Sequence, residues 1–226
     1  MLTLHAADLV VPGGGRPAVP DGAVLVDGRV PAAVGPYATL AAAHPAARTR
    51  RWPGLLTPGF VHPCGAALLE RAYHPDPREA DELGTDPLTG DALAALAPTE
   101  ARWGASARRG AQRLLAHGVV AVTGPLRRPA VVDAVRRAGL GVLPGPGGPG
   151  GTGGSGVPGD CDGPAVLDPL AGRRSPASVA APPLVAGDGT ATFAVFDVPD
   201  EAALAARGAG TCVATVLAGR LVHRRR

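Results

Sequence analysis

The chain has 226 residues and not one lysine; all 22 of its Lys+Arg positions are arginine. That absence excludes a Schiff-base lysine, the lysine of a phosphate-binding loop and a carbamylated lysine bridging two metals. Aromatic residues make up only 3% of the chain. The formal net charge of +3 is matched by the closing run Arg224, Arg225, Arg226. A nucleic-acid surface needs a basic stripe interleaved with stacking rings, and neither is present. No apolar run approaches the roughly 18 residues of a membrane-spanning helix. The segment after Met1 has no cationic start, long apolar centre or small-residue cleavage site, so neither secretion nor a membrane is expected. Three cysteines, an odd number without a C-x-x-C pair, give no disulfide framework and point to the reducing cytoplasm. No serine lies in a G-x-S-x-G elbow.

What remains is apolar enough to fold: hydrophobic residues are 46% of the chain. Gly (33) and Pro (25) are abundant but follow no collagen-like period, and they concentrate in turns and in one tract, "GPGGPGGTGGSGVPG" after Pro144. Short strands are expected at the start, "LHAADLVV" and "GAVLVDGRV", with Asp27-Gly28 as a hairpin turn. The same grammar returns at the end in "TATFAVFDV" and "CVATVLAGRLVHR", the latter turning at Ala218 and Gly219. Between them strands and helices alternate. "TPGFVH" reads as a strand and the residues after it as a long polar loop. "TEARWGASARRGAQRLLAHG" reads as a helix capped by Thr99 and stopped by Gly118, "VVAVTG" as a strand, "RPAVVDAVRRAG" as a helix opening near Pro129, and "LGVLP" as a third strand. A β-α-β-α-β order implies parallel pairing.

The predicted class is therefore α/β: a β-sandwich built from both chain ends, residues 1–56 and 188–226, plus a truncated barrel-like middle of about three parallel strands at 57–144. Residues 145–187 read as a Gly/Pro-rich linker and irregular segment.

The arrangement "ADLVVPGGG…DGAVLVDGRV…VGP…WPGLLTPGFVHPC" resembles the amidohydrolase superfamily, and within it the imidazolonepropionase and aminodeoxyfutalosine deaminase branch. Chains of that family open with a β-sandwich and enter a metal-binding barrel through a Pro-Gly-Phe strand that leads to a His-x-His pair. The match is at Pro58, Gly59, Phe60 and His62, but Cys64 stands where the second histidine would be. A complete eight-fold barrel takes roughly 250 residues, and fewer than about 90 lie between Thr57 and Pro144. The later histidines and the aspartate of the family have no segment to occupy.

The resemblance implies a divalent metal such as zinc. His62 and Cys64 alternate onto one face of a strand end, where α/β sites gather, and imidazole with thiolate is a legitimate pair of zinc ligands. Catalytic zinc, however, takes three protein ligands and an open position. The following segment offers Glu70, His74, Asp76, Glu79, Asp81, Glu82 and Asp86, of which His74 is the most distinctive; their alternative is a solvated surface. His117 reads as a helix-end histidine and Cys212 as a core thiol.

Three functions stay open: a degenerate amidohydrolase-like protein without a complete metal site, a minimal hydrolase acting on non-peptide C–N bonds of a cyclic or purine-like small molecule, and a non-catalytic partner subunit. The implied partners are a small-molecule ligand and a second copy, or a complete enzyme, covering the open sheet edge.

Overall fold

A computed structural model describes residues 1–144, 161 and 165–225. The chain runs β1 (Leu2–Val10), β2 (Val19–Asp27), β3 (Val30–Pro36), α1 (Tyr37–Ala43), β4 (Arg48–Pro58), β5 (Phe60–His62), α2 (Gly65–Glu70), α3 (Ala80–Leu83), α4 (Gly90–Leu96), α5 (Glu100–Leu115), β6 (Val119–Thr123), α6 (Pro129–Ala138), β7 (Gly141–Leu143), β8 (Phe193–Phe196), α7 (Glu201–Arg207), β9 (Cys212–Leu217) and β10 (Arg220–Arg224). Among the described residues, the strands form a seven-stranded mixed sheet, ordered β10-β9-β8-β4-β1-β2-β3, and a three-stranded sheet, ordered β5-β6-β7.

Strands from both chain ends meet in the larger sheet. Its junction is β4, which pairs parallel with β1 and antiparallel with β8, so Leu55 faces Leu9 on one side and Phe196 on the other. Both predicted hairpins form. Gly28 (φ +57°) turns β2 into β3, and Ala218 with Gly219, at φ +47° and +77°, turns β9 into β10. The second turn has positive φ at both central residues, whereas the first, with Gly28 and Arg29 at its centre, has it at Gly28 alone; both are two-residue hairpin geometries whose twist matches the strands.

The small sheet is parallel throughout, with His62 opposite Val122 and Val122 opposite Val142. The single strand expected over 57–62 is broken at Gly59, where any Cβ would collide with the side chain of Val120. The break hands the chain from the large sheet to the small one. Phe60 and Phe196 stack across the seam at 5.2 Å between ring centres, and Thr215 Oγ1 donates to the carbonyl of Leu115 at 2.7 Å.

Helix α5 buries Trp103, Ala107, Gly110, Ala111, Leu114 and Leu115, a face of the three-and-four spacing that a helix on a sheet presents. Thr99 Oγ1 accepts from Arg102 N at 3.4 Å as its cap, and Gly118 follows its end with φ +70°. Helix α6 starts at Pro129 and stops at Gly139 with φ +79°. With α2 these helices build a core of Leu68, Leu69, Leu114, Val122, Val131 and Val135.

Three expectations need correction. The polar loop after His62 carries α2, α3, α4 and a capping box in which the Glu79 carboxylate accepts from Asp76 N and the Asp76 carboxylate from Arg78 N. Periodicity missed these helices because each is seven residues or shorter, too short to repeat. The part of the expected linker and irregular segment before β8 that is described packs into the fold: Leu170, Val179 and Leu184 are buried, and Ala180 bridges Phe60. The cysteines do pair, Cys64 with Cys161, which removes their spacing as a ground for a reducing compartment. The Gly-rich tract at 145–160 lies outside the described residues. Among those described, no helix is long and apolar enough to cross a membrane.

Candidate functional site

The C-terminal end of β5 opens into a cavity of about 360 Å³, lined among others by His62, Cys64, Arg71, Cys161, Asp168 and Arg173. Local packing sets its floor. Thr123 at the end of β6 donates its hydroxyl to the carbonyl of Pro63, and Gly65 lets the first turn of α2 press on Val122, where a Cβ would overlap that side chain. His62 and Cys64 are thus held together beneath the first turn of α2.

His62 is 4% exposed. Its Nδ1 accepts the Cys64 backbone N–H at 3.1 Å, and its Nε2 lies 3.0 Å from the carbonyl of Val166. A carbonyl only accepts, so the partners assign the proton to Nε2. Both ring nitrogens are then engaged and no lone pair is left for a metal. Burial holds the pKa down at about 4, against the opposing Val166 hydrogen bond and the charge of Asp168, so the ring is neutral at pH 7.

The sulfur of Cys64 is bonded to that of Cys161, with the Cα atoms 5.4 Å apart and 97 residues between them in sequence. A half-cystine is not a thiolate, so Cys64 is not the zinc ligand that its position suggests. Arg71 donates to the Cys161 carbonyl at 2.9 Å. Asp168 is engaged by backbone amides, Oδ1 by Leu170 N at 2.8 Å and Oδ2 by Ala209 N at 3.0 Å.

The other acidic candidates are placed elsewhere. Glu70 accepts from Arg127 N and Arg128 N at 2.6 and 2.8 Å and so prepares the start of α6. Glu79 accepts from Asp76 N, Tyr73 and Arg102, and these contacts hold its carboxyl down at about 2. Asp76 pairs with Arg109 at 3.2 Å. Asp81, Glu82 and Asp86 do not line the cavity. His74 is fully buried beneath α5, its Nε2 3.1 Å from the Leu68 carbonyl and its backbone N–H donating to Ser106 Oγ at 2.7 Å. It does not reach His62's cavity. His117 donates through Nδ1 to the Arg113 carbonyl at 2.8 Å, as a helix-end histidine does. Among the described residues, no three His, Cys, Asp or Glu side chains are grouped to hold a metal ion.

Sequence reasoning located His62 and Cys64 but missed Cys161, Val166 and Asp168. They lie in a segment without periodicity, about 100 residues away in sequence, and no local pattern marks their return to β5.

No protein-family model matches the chain, and no curated protein matches it. Among solved structures it is similar to several enzymes at low identity. Ochratoxinase of A. niger aligns at 22% identity over 63% of this chain and 31% of its own, with a TM-score of 0.43. Helicobacter pylori aminofutalosine deaminase aligns at 15% identity over 64% of this chain and 33% of its own, TM-score 0.42. E. coli guanine deaminase aligns at 16% over 64% and 35%, TM-score 0.41. The chain therefore spans about a third of the length of each of these proteins.

Proposed function

We propose that this is an amidohydrolase-like protein of the imidazolonepropionase type whose three parallel strands correspond to the opening of a barrel, and that it binds a small molecule at the end of β5 without metal-assisted hydrolysis. The observation that carries this reading is the state of the two residues at the metal-binding position. His62 has both ring nitrogens engaged, and Cys64 is tied up with Cys161. Zinc would need three protein ligands with free lone pairs, so the residues present do not fit a zinc ion in this disulfide form. A C–N hydrolase would also need a base near its water, and the carboxylate that lines the cavity, Asp168, is committed to two backbone amides. The cavity is at the lower end of the range for small-molecule sites.

Elemental analysis of protein purified without reductant or chelator tests the proposal directly. Metal well below one ion per chain is expected, whereas zinc or iron near one per chain would favour the minimal hydrolase.

A second reading, a partner subunit, is supported by β7. All three of its residues are exposed, with Val142 at 47% and Leu143 at 41%, and among the described residues β6 alone pairs with it. An open apolar edge of this kind invites another strand. Light scattering on the purified chain would show a dimer if a second copy covers the edge, and a monomer at all concentrations would count against self-pairing.

A further inference from the structure

We infer that the cleft between α5 and residues 75–85 is a binding site for an organic phosphate monoester. It shares no lining residue with the cavity at the end of β5. Ala105, Arg108, Arg109, Gln112 and Arg113 recur at spacings of three and four, so they share one face of α5, opposite the face that buries Trp103, Ala107, Ala111 and Leu114. A polar helix face ordinarily meets open water. Here it lines a cleft of about 680 Å³, within the range of small-molecule sites.

The arginines build the cleft as well as line it. Arg109 donates from Nε to the His74 carbonyl at 2.9 Å and pairs with Asp76 at 3.2 Å, which ties the start of the 75–85 segment to the helix. Arg113 donates from Nη2 to the Thr85 carbonyl at 2.6 Å and ties its end. Between these points the Asp76–Glu79 capping box fixes the segment's own turn.

Three arginines and one aspartate line the cleft, and the aspartate is paired with Arg109. Among the described residues Arg108 has neither an ion pair nor a hydrogen bond, and Arg113 meets a neutral carbonyl, so two positive charges are left uncompensated. Asp81, Glu82 and Asp86 belong to the same segment but are exposed and do not line the cleft. Like charges gathered in a cleft attract a counter-anion more strongly than the same charges on open surface. Their field also reaches inward: His74, next to Pro75 in sequence, is held down at about 4 by burial, with Arg113 and Arg109 adding to it.

The lining selects the kind of anion. A phosphate monoester carries between about 1.5 and 2 negative charges near pH 7 and three acceptor oxygens, which balances Arg108 and Arg113 and leaves an oxygen for the Gln112 amide. A carboxylate brings one charge and two oxygens. Arg108 and Arg113 are separated by about 7.5 Å along the helix axis, a span that two long, flexible side chains close onto one phosphate. Pro75, Pro77, Ala80 and Ala105 supply an apolar wall for the organic body of the ester, which inorganic phosphate lacks.

Isothermal titration calorimetry on the full chain at low ionic strength tests the site, with phenyl phosphate as the probe and inorganic phosphate beside it. Phenyl phosphate should bind saturably at one per chain, and inorganic phosphate about tenfold more weakly for want of apolar contact. Arg108→Gln and Arg113→Gln should each weaken phenyl phosphate binding by about tenfold with unchanged circular dichroism, while Arg136→Gln, on the exposed side of α6, should bind as the wild type. Because Arg108 has no partner to lose, its variant decides the outcome if loss of the Thr85 contact disturbs the fold of Arg113→Gln. Absence of saturable binding, or full-strength binding by Arg108→Gln, would overturn the inference. An equal loss in Arg136→Gln would reveal attraction by diffuse surface charge, and a loss in Arg173→Gln alone would put the anion in the cavity at the end of β5; either result overturns it too. Inorganic phosphate binding as tightly as phenyl phosphate would overturn the assignment of an organic ester.

Discussion

The carbonyl of Val166 sits 3.0 Å from Nε2 of His62, across 104 residues of sequence. With the Cys64 amide on Nδ1 at 3.1 Å, this contact makes His62 a structural bridge between the end of β5 and a distant segment. The buried imidazole pairs one backbone donor and one backbone acceptor at a part-buried site, and replacing it removes both bonds.

His62→Ala should therefore destabilise the fold by about 1–3 kcal/mol through the orphaned groups and lost packing, without abolishing it. Chemical denaturation followed by circular dichroism measures this. A midpoint equal to that of the wild type would mean the ring is not bonded at both nitrogens.

Reducing the Cys64–Cys161 bridge releases a loop constraint spanning 97 residues. The chain-entropy estimate for such a loop is about 4.7 kcal/mol of stability. Thermal unfolding with and without reductant should differ by several degrees, and C64S/C161S should behave as the reduced wild type. Identical unfolding curves would show that the bond does not constrain the folded chain.

Two glycines with positive φ separate conformational cost from steric cost. Gly28, at φ +57°, has open space where an alanine methyl would sit, while at Gly219, φ +77°, the same methyl would overlap the Gly28 carbonyl. Gly28→Ala should cost about 1 kcal/mol from backbone strain alone, and Gly219→Ala distinctly more. Equal losses for the two variants would count against the close approach of the β2–β3 and β9–β10 turns.

His5 and His74 are buried and neutral, each with its pKa lowered to about 4, mainly by desolvation, with nearby arginines adding to it. Trp52 Nε1 donates to His5 Nδ1 at 3.2 Å, so protonating that nitrogen breaks the bond. Because the folded pKa lies below the unfolded value of 6.5, the unfolded chain binds protons first. Stability is complete above pH 6.5 and falls between 6.5 and about 4, by up to about 1.4 kcal/mol per pH unit for each ring. Glu79, lowered to about 2, acts in a lower window: its contribution is present above 4.5 and is lost from there toward 2. Denaturation midpoints across pH 7 to 4 should decline, and His5→Gln should flatten part of the slope. His62, lowered to about 4 as well, adds to the same window, so a flat profile from 6.5 to 4.5 would contradict neutral burial of these three rings.

What the sequence determined by itself is what short-range chemistry encodes. The turns at Gly28 and at Ala218-Gly219 follow from backbone freedom at positive φ, α5 from its spacing and its Thr99 cap, and the parallel order of β5, β6 and β7 from the alternation of strand and helix. Strand alternation does not place Cys64, however, since β5 ends at His62 and Cys64 lies beyond it as the N-cap of α2. The tertiary structure alone decided the rest. The parallel pairing of β1 with β4, the placement of β8 beside β4, and the return of Cys161, Asp168 and Arg173 to the end of β5 join segments far apart in the chain. Such contacts depend on which buried surfaces fit together, not on any local pattern. For that reason the identity of Cys64 as half of a disulfide, and of His62 as a bridge with no free nitrogen, emerges only when the distant segment is folded back onto them.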